Sequence, residues 1–136
     1  MRTVDGVTYI NDSKGTNVDS TIKAVQTMQR PTAIILGGYD KHCDFTPMVK
    51  EMLLSPFIRE AVLIGVTADQ IEHTCRENGY THIHRADTLE DAISQCRALA
   101  SEGWNVLLSP ACASFDMFSD YEARGRIFKE LVNDLK

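Results

Sequence analysis

The segment TAIILGG, from Thr32 to Gly38, runs through four uninterrupted apolar residues and ends in two glycines. A strand with one face in water alternates polar and apolar residues, whereas a strand covered on both faces is apolar throughout. This run is of the second kind, so it predicts a central strand of a sheet that carries helices on both faces. The paired glycines mark the end of that strand and would let a ligand approach the backbone closely.

Strand-like and helix-like segments alternate along the rest of the chain. The predicted strands are EAVLIGV (60–66), THIHRA (81–86) and WNVLLS (104–109). The predicted helices lie within NVDSTIKAVQTM (17–28), DFTPMVKEMLL (44–54), TADQIEHTCRENG (67–79), DTLEDAISQCRALASEG (87–103) and the region after SPACASFD (109–116). We expect Thr67 to cap the third of these helices, and Val49, Met52 and Leu53 to form the buried face of the second. The alternation predicts an α/β fold with a mostly parallel sheet flanked by helices on both faces.

The amino terminus adds an antiparallel strand at one edge. Asp5-Gly6 separates two β-prone runs, and this dipeptide favours the hairpin turn in which both central residues have positive φ. Because the chain begins inside a predicted strand, we expect it to be a fragment of a longer protein.

Composition narrows the class of protein. The chain has 136 residues, a net charge of −5 and 43% hydrophobic residues, which fits one globular domain and disfavours nucleic-acid or membrane-surface binding. It contains no apolar run long enough for a membrane span and no signal-peptide pattern. The cysteines form no C-x-x-C pair and are typical of reduced thiols, so we expect a cytoplasmic protein.

Three loops with unusual chemistry follow predicted strands: NDSKGTN (11–17), GGYDKHCDF (37–45) and SPACASFD (109–116). Carboxyl ends of parallel strands meet at one edge of a sheet, where ligands of α/β proteins bind. Lys14, Lys41 and the hydroxyls of these loops suit a phosphate or a carboxylate. Asp12 would repel an anion, so we expect it to accept hydrogen bonds from hydroxyls such as those of ribose, or to pair with Lys14.

Simpler interpretations of these residues remain open. Each loop alone also fits an ordinary turn with a solvated lysine. A nucleophile at Ser114 or Cys112 is disfavoured because no G-x-S-x-G motif is present. His82-x-His84 has no further ligand at a matching spacing, so we predict no metal site. Arg124 and Arg126 are predicted to lie on a solvated helix face.

GVTYINDSKGTNVDSTIKAV (6–25), LGGYDK (36–41) and LLSPACASFDMFSDYEARGRIFKELV (107–132) resemble the carboxyl-terminal domain of the Mur ligases of bacterial cell-wall synthesis. The resemblance implies a Rossmann-like domain over residues 1–136 that binds the incoming amino acid. It implies that the central ATPase domain and the amino-terminal UDP-binding domain are not in this chain.

The resemblance is strongest to the branch that adds D-glutamate to UDP-N-acetylmuramoyl-L-alanine through an acyl phosphate, with ATP and Mg²⁺. It implies that D-glutamate is held by Thr16, Lys41, Ser114, Phe115 and Tyr121. It implies that Asp12 and Lys14 face the nucleotide, and that the magnesium ligands lie mostly outside the chain. We therefore expect the isolated chain to be inactive.

Two positions depart from the family pattern, since Gly15 stands where Ala is common and Tyr121 where Phe is common. Two other functions remain open. One is a non-catalytic domain that binds an acidic amino acid or a nucleotide. The other is a Mur ligase for a different amino acid.

Overall fold

A computed structural model describes residues 2–12, 17–38, 44–109, 111 and 121–135, without the side chains of Arg2 and Tyr121. The strands are β1 (Arg2–Val4), β2 (Val7–Asn11), β3 (Thr32–Gly37), β4 (Ile58–Ile64), β5 (Ile83–Arg85) and β6 (Asn105–Leu108). The helices are α1 (Val18–Thr27), α2 (Thr46–Leu54), α3 (Ala68–Glu77), α4 (Leu89–Leu99) and α5 (Tyr121–Asn133).

In the described ranges these strands form a single six-stranded sheet in the order β1-β2-β6-β3-β4-β5. The β2–β6, β6–β3, β3–β4 and β4–β5 pairs are parallel, and β1 pairs with β2 in the antiparallel sense. The predicted parallel sheet with a hairpin strand at its edge is therefore confirmed. The hairpin has the expected turn, since Asp5 has φ 54° and Gly6 has φ 78°.

Helices cover both faces of the sheet. One apolar core lies between the sheet and α1, α2 and α3, and the other lies between the sheet and α4 and α5. The segment Ala33–Leu36 serves both, because Ile34 and Leu36 point into the first core while Ala33 and Ile35 point into the second. All four side chains are fully buried, as the uninterrupted apolar run predicts.

Local hydrogen bonds explain where two helices begin. Asn17 accepts a bond from the Ser20 amide at 2.9 Å at the start of α1, and Thr88 accepts one from the Asp91 amide at 3.0 Å at the start of α4. Thr67 occupies the N-cap position of α3, as predicted, but its side chain does not cap the helix. The Thr67 hydroxyl makes no capping bond and instead accepts a hydrogen bond from the Gly38 amide at 3.0 Å.

The buried face of α2 also differs from the prediction. Met48, Val49 and Met52 are buried, whereas Leu53 is 43% exposed. The helix turns its Met48 side toward the first core, which moves Leu53 to the rim. Among the helices of the described ranges, none is long and apolar enough to cross a membrane.

Candidate functional site

The three polar loops of the sequence start from neighbouring strands. They follow β2, β6 and β3, which are adjacent and parallel, so their carboxyl ends share one edge of the sheet. The chain leaves β3 toward α2 on one face and leaves β6 toward α5 on the opposite face. A crevice opens where successive connections separate in this way, and α/β proteins bind ligands there.

Asp12 is held at this edge by its backbone and by its side chain. Its amide donates to the Leu108 carbonyl at 2.8 Å, which extends the β2–β6 ladder by one residue. Its carboxylate oxygen Oδ2 accepts a hydrogen bond from the Ser109 hydroxyl at 2.8 Å. A hydrogen bond to a carboxylate is stronger than one between neutral groups, so this contact fixes the orientation of the Asp12 side chain.

Ser109 is in turn supported by α1. The Thr21 hydroxyl donates to the Ser109 carbonyl at 3.0 Å, and the two side-chain oxygens lie 3.2 Å apart. Both residues are fully buried. The carboxyl ends of β2 and β6 and the first half of α1 therefore share one polar network beneath Asp12.

The first turns of α5 reach the same edge. The Asn11 side-chain amide donates to the Gly125 carbonyl at 3.0 Å, and Arg124 beside it is only 1% exposed. The prediction that Arg124 lies on a solvated face is therefore wrong, whereas Arg126 is exposed as expected. A buried guanidinium is stable only where acceptors meet its donors.

The paired glycines at the end of β3 have a structural role. Gly37 has φ 114°, and a Cβ atom added to it would lie 2.0 Å from the carbonyl oxygen of Ile64 on β4. Gly38 exchanges hydrogen bonds with Thr67, since its amide donates to the Thr67 hydroxyl and its carbonyl accepts from the Thr67 amide. The close backbone approach at Gly37 is therefore made by the neighbouring strand.

The Mur ligase, glutamate ligase domain family matches residues 1–112 of the chain. The chain belongs to the Mur ligase family. It is 48% identical over 135 residues to a UDP-N-acetylmuramoylalanine–D-glutamate ligase of Lachnospira eligens, covering 99% of the chain and 30% of that relative. It is 43% identical over 136 residues to the Clostridioides difficile protein of the same name, covering 100% of the chain and 30% of the relative. It is 47% identical over 135 residues to the protein of that name from Thermoanaerobacter sp., covering 98% of the chain and 29% of the relative.

The chain thus spans about 30% of the length of these curated relatives. These relatives are more than two fifths identical to the chain over almost its whole length. The family match and the sheet topology both agree with the Rossmann-like Mur ligase domain that the sequence motifs predict.

Two of the residues that the Mur ligase motifs predict for the site lie within the described ranges. Asp12 is described with its side chain, and Tyr121 is the first residue of α5. The other predicted site residues lie outside the described residues: Lys14, Thr16, Lys41, Ser114 and Phe115. Their roles stay predictions. The three loops that carry them follow β2, β3 and β6, which are neighbouring strands.

Asp44 lies near the end of the loop 37–45, just before α2. Its Oδ1 atom accepts a hydrogen bond from the Thr46 amide at 3.0 Å, which holds the pKa of the Asp44 carboxyl below its usual value. This charge helps to start α2, because a carboxylate is stabilised by the free amides at a helix amino terminus.

The described residues do not fit a magnesium site. Mg²⁺ takes six oxygen ligands and is usually held by one or two carboxylates together with phosphates, and no described group of three or more His, Cys, Asp or Glu residues is placed to hold a metal. His82 and His84 instead flank Glu60 of β4, at 3.8 Å and 3.2 Å from its carboxylate. We therefore derive no chemical step through a metal at these residues.

Sequence reasoning missed Ser109, Thr21 and Asn11 as residues of the site. Ser109 carried a signal, because it is the first polar residue after a buried strand whose end lies at the ligand edge. Thr21 carried none, since a threonine inside an amphipathic helix does not reveal which strand end it will face.

Proposed function

We propose that the chain is the carboxyl-terminal, amino-acid-binding domain of the Mur ligase that adds D-glutamate to UDP-N-acetylmuramoyl-L-alanine with ATP in peptidoglycan synthesis. The observation that carries this proposal is the name shared by relatives that match the whole chain at 43–48% identity. The three polar loops follow β2, β6 and β3, whose carboxyl ends lie at one edge of the sheet, and this placement supports it.

The reaction would form an amide bond in two steps. ATP phosphorylates the carboxylate of UDP-N-acetylmuramoyl-L-alanine, which gives an acyl phosphate and ADP. The amine of D-glutamate then attacks the acyl carbon, phosphate leaves with the bonding electrons, and the amine loses a proton. The chain would contribute binding and orientation to these steps, because holding two reactants in place removes much of the entropic barrier.

The two carboxylates of D-glutamate need two groups of hydrogen-bond donors. In the proposal Thr16, Lys41, Ser114 and Tyr121 supply these donors, and Phe115 lines the site. Lysine and hydroxyl groups are suited to carboxylates because hydrogen bonds to an ionised acceptor are short and strong.

Asp12 and Lys14 would face the nucleotide at the same edge. Asp12 Oδ2 is already engaged by Ser109, so Oδ1 is the oxygen that would accept a bond from a ribose hydroxyl. Lys14 would lie near the phosphates as a point charge.

The remaining parts of the reaction would belong to the other domains of such a ligase. The central domain would bring the ATP phosphates and Mg²⁺ to this edge, and its closure would keep water away from the acyl phosphate. The isolated chain would then be inactive, although it could still bind D-glutamate or nucleotide.

A domain exchange tests the proposal. The chain would replace the matching segment of the Lachnospira eligens relative, and ADP release would be followed with UDP-N-acetylmuramoyl-L-alanine and D-glutamate, L-glutamate, lysine or meso-diaminopimelate. We expect turnover with D-glutamate that is at least about a hundredfold faster than with the others, since an amino acid of other configuration, length or charge cannot pair both carboxylates with the donors and still present its amine to the acyl carbon.

Two variants sharpen this test. Lys41→Met should abolish turnover, whereas Lys50→Met should leave it unchanged, because Lys50 is an exposed residue of α2. Preference for another amino acid would indicate a different Mur ligase. Binding of D-glutamate without any turnover would favour a non-catalytic binding domain.

A further inference from the structure

Two fully buried hydroxyl groups lie directly beneath Asp12. Ser109 follows β6, Thr21 lies in α1, and 88 positions in the sequence separate them. Neither side chain reaches solvent, so their polar atoms must find partners inside the protein. The partners they find connect α1 to the Asp12 carboxylate.

Counting protons fixes the direction of these bonds. The Thr21 proton goes to the Ser109 carbonyl at 3.0 Å. The Ser109 proton has two acceptors within reach, the Asp12 carboxylate at 2.8 Å and the Thr21 hydroxyl at 3.2 Å. It goes to Asp12, because the charged acceptor is both closer and stronger.

This arrangement occupies one carboxylate oxygen of Asp12 and leaves the other for a ligand. Oδ2 accepts from Ser109, while no described residue donates to Oδ1. The Asp12 amide is also bound, to the Leu108 carbonyl at 2.8 Å, so both the backbone and the side chain are fixed. The carboxylate is therefore held ready before a ligand arrives, which reduces the ordering that binding requires.

We propose that Ser109 and Thr21 are positioning residues that hold Asp12 so that its Oδ1 atom accepts a hydrogen bond from a ribose hydroxyl of the nucleotide. The inference rests on the proposed function, which places a nucleotide at Asp12. It adds two residues that act through Asp12 and do not touch the nucleotide themselves.

The test measures nucleotide affinity in the domain-exchange protein, in which this chain replaces the matching segment of the Lachnospira eligens relative. ADP and 2′,3′-dideoxy-ADP would be titrated calorimetrically into the wild type and into Asp12→Ala, Ser109→Ala, Thr21→Val and Thr21→Ser. We expect Asp12→Ala and Ser109→Ala to weaken ADP binding about tenfold and Thr21→Val about threefold, since a displaced group loses most of its contact. Thr21→Ser keeps the hydroxyl and should bind ADP like the wild type.

The dideoxy nucleotide separates positioning from general damage. It has no ribose hydroxyl for Asp12, so its dissociation constant should be the same for the wild type and all four variants. The double variant Asp12→Ala/Ser109→Ala should bind ADP no more weakly than Asp12→Ala alone, because the effects of two residues that act through one contact are not additive.

Matched controls remove hydroxyls elsewhere. Ser55→Ala deletes a hydroxyl that accepts from the Phe57 amide, and Thr27→Val deletes one that donates to the Ala24 carbonyl in the same helix as Thr21. Neither should change ADP affinity.

Three results would overturn the inference: equal weakening for ADP and the dideoxy nucleotide, additive effects of Ser109→Ala and Asp12→Ala, or no effect of Asp12→Ala. If Ser109→Ala fails to fold, the Thr21→Val and Thr21→Ser pair decides. If the variants change ADP binding as expected but the wild type does not use D-glutamate, the proposed function is refuted and this inference stands.

Discussion

The side-chain amide of Asn11 donates a hydrogen bond to the carbonyl oxygen of Gly125 at 3.0 Å, across 114 positions of sequence. Asn11 ends β2 and directly precedes Asp12, while Gly125 lies in the second turn of α5, the helix that begins at Tyr121. This bond therefore joins the strand end that carries one predicted site residue to the helix that carries another.

Asn11→Ala should loosen this connection. We expect a loss of about 1 kcal/mol in the free energy of unfolding, the usual contribution of one hydrogen bond, measured by urea denaturation. The amide NMR signals of residues 121–126 should shift. Asn78→Ala is the control, because it removes a bond from Asn78 to the Thr74 carbonyl at the end of α3 and should leave α5 unchanged. Unshifted α5 signals in Asn11→Ala would contradict the expectation.

Gly37→Ala should prevent stable folding or cost more than about 3 kcal/mol. The added Cβ would lie 2.0 Å from the Ile64 carbonyl oxygen, which is a steric clash, and the φ of 114° is unfavourable for any residue with a side chain. Gly103→Ala is the matched variant, since φ is 90° but nothing lies within 4 Å of the added atom. It should cost only about 1–2 kcal/mol, the strain of the left-handed backbone. Thermal unfolding checks both, and equal losses would refute the argument from the β4 contact.

Tyr9→Phe should be neutral or stabilising by up to about 1 kcal/mol. Tyr9 is 2% exposed and its hydroxyl has no hydrogen-bond partner among the described residues, so folding removes that group from water without compensation from them. Burial also raises the pKa of the Tyr9 hydroxyl. Tyr80→Phe removes a hydroxyl that reaches the Ile58 carbonyl at 3.4 Å and should be the less favourable substitution. Guanidinium denaturation would compare them, and a clear loss for Tyr9→Phe would reveal a missing partner.

Arg124→Leu should destabilise the domain by about 3 kcal/mol, the scale for removing one member of a buried ionic or hydrogen-bonded set. Arg124 is 1% exposed, so its guanidinium is removed from water in the folded domain. Arg126→Leu, two positions later on the exposed face, should change stability by no more than about 0.5 kcal/mol. Similar effects of the two variants would show that burial of Arg124 contributes nothing to stability.

Stability should fall as the pH rises from about 9 to about 11, in part through Cys75. Burial raises the pKa of the Cys75 thiol from 9.0 to about 11. Between these values the folded protein keeps the proton and the unfolded chain loses it, so the unfolded state binds fewer protons and alkaline pH favours unfolding. Cys75→Ala should flatten this part of the pH profile of the unfolding free energy.

Alkylation of Cys75 by iodoacetamide at pH 8, followed by mass spectrometry of the cysteine peptides, gives an independent check. The native thiol should react far more slowly than in urea, because it is buried and protonated. Rapid reaction of Cys75 in the native protein would contradict the assigned burial.

Local patterns in the sequence sufficed for the elements and for the class of fold. The apolar run Ala33–Leu36 predicted a strand covered on both faces, and Asp5-Gly6 predicted a hairpin turn with two positive φ values. Both features depend on residues that are neighbours along the chain, through the period of side chains in a strand and the backbone freedom of turn residues. The chemical character of the three loops could be read in the same way.

Contacts between distant residues were beyond these patterns, and the errors concern such contacts. Thr67 occupies the predicted N-cap position of α3, but its hydroxyl accepts a hydrogen bond from the Gly38 amide at the end of β3 and does not cap the helix. Arg124 was predicted to be solvated, but it is buried where α5 packs on the sheet. The network from Thr21 through Ser109 to Asp12 exists only because β6 lies between β2 and β3. Strand order is a property of the packed sheet, since it is set by which apolar faces can be buried together and not by any single segment.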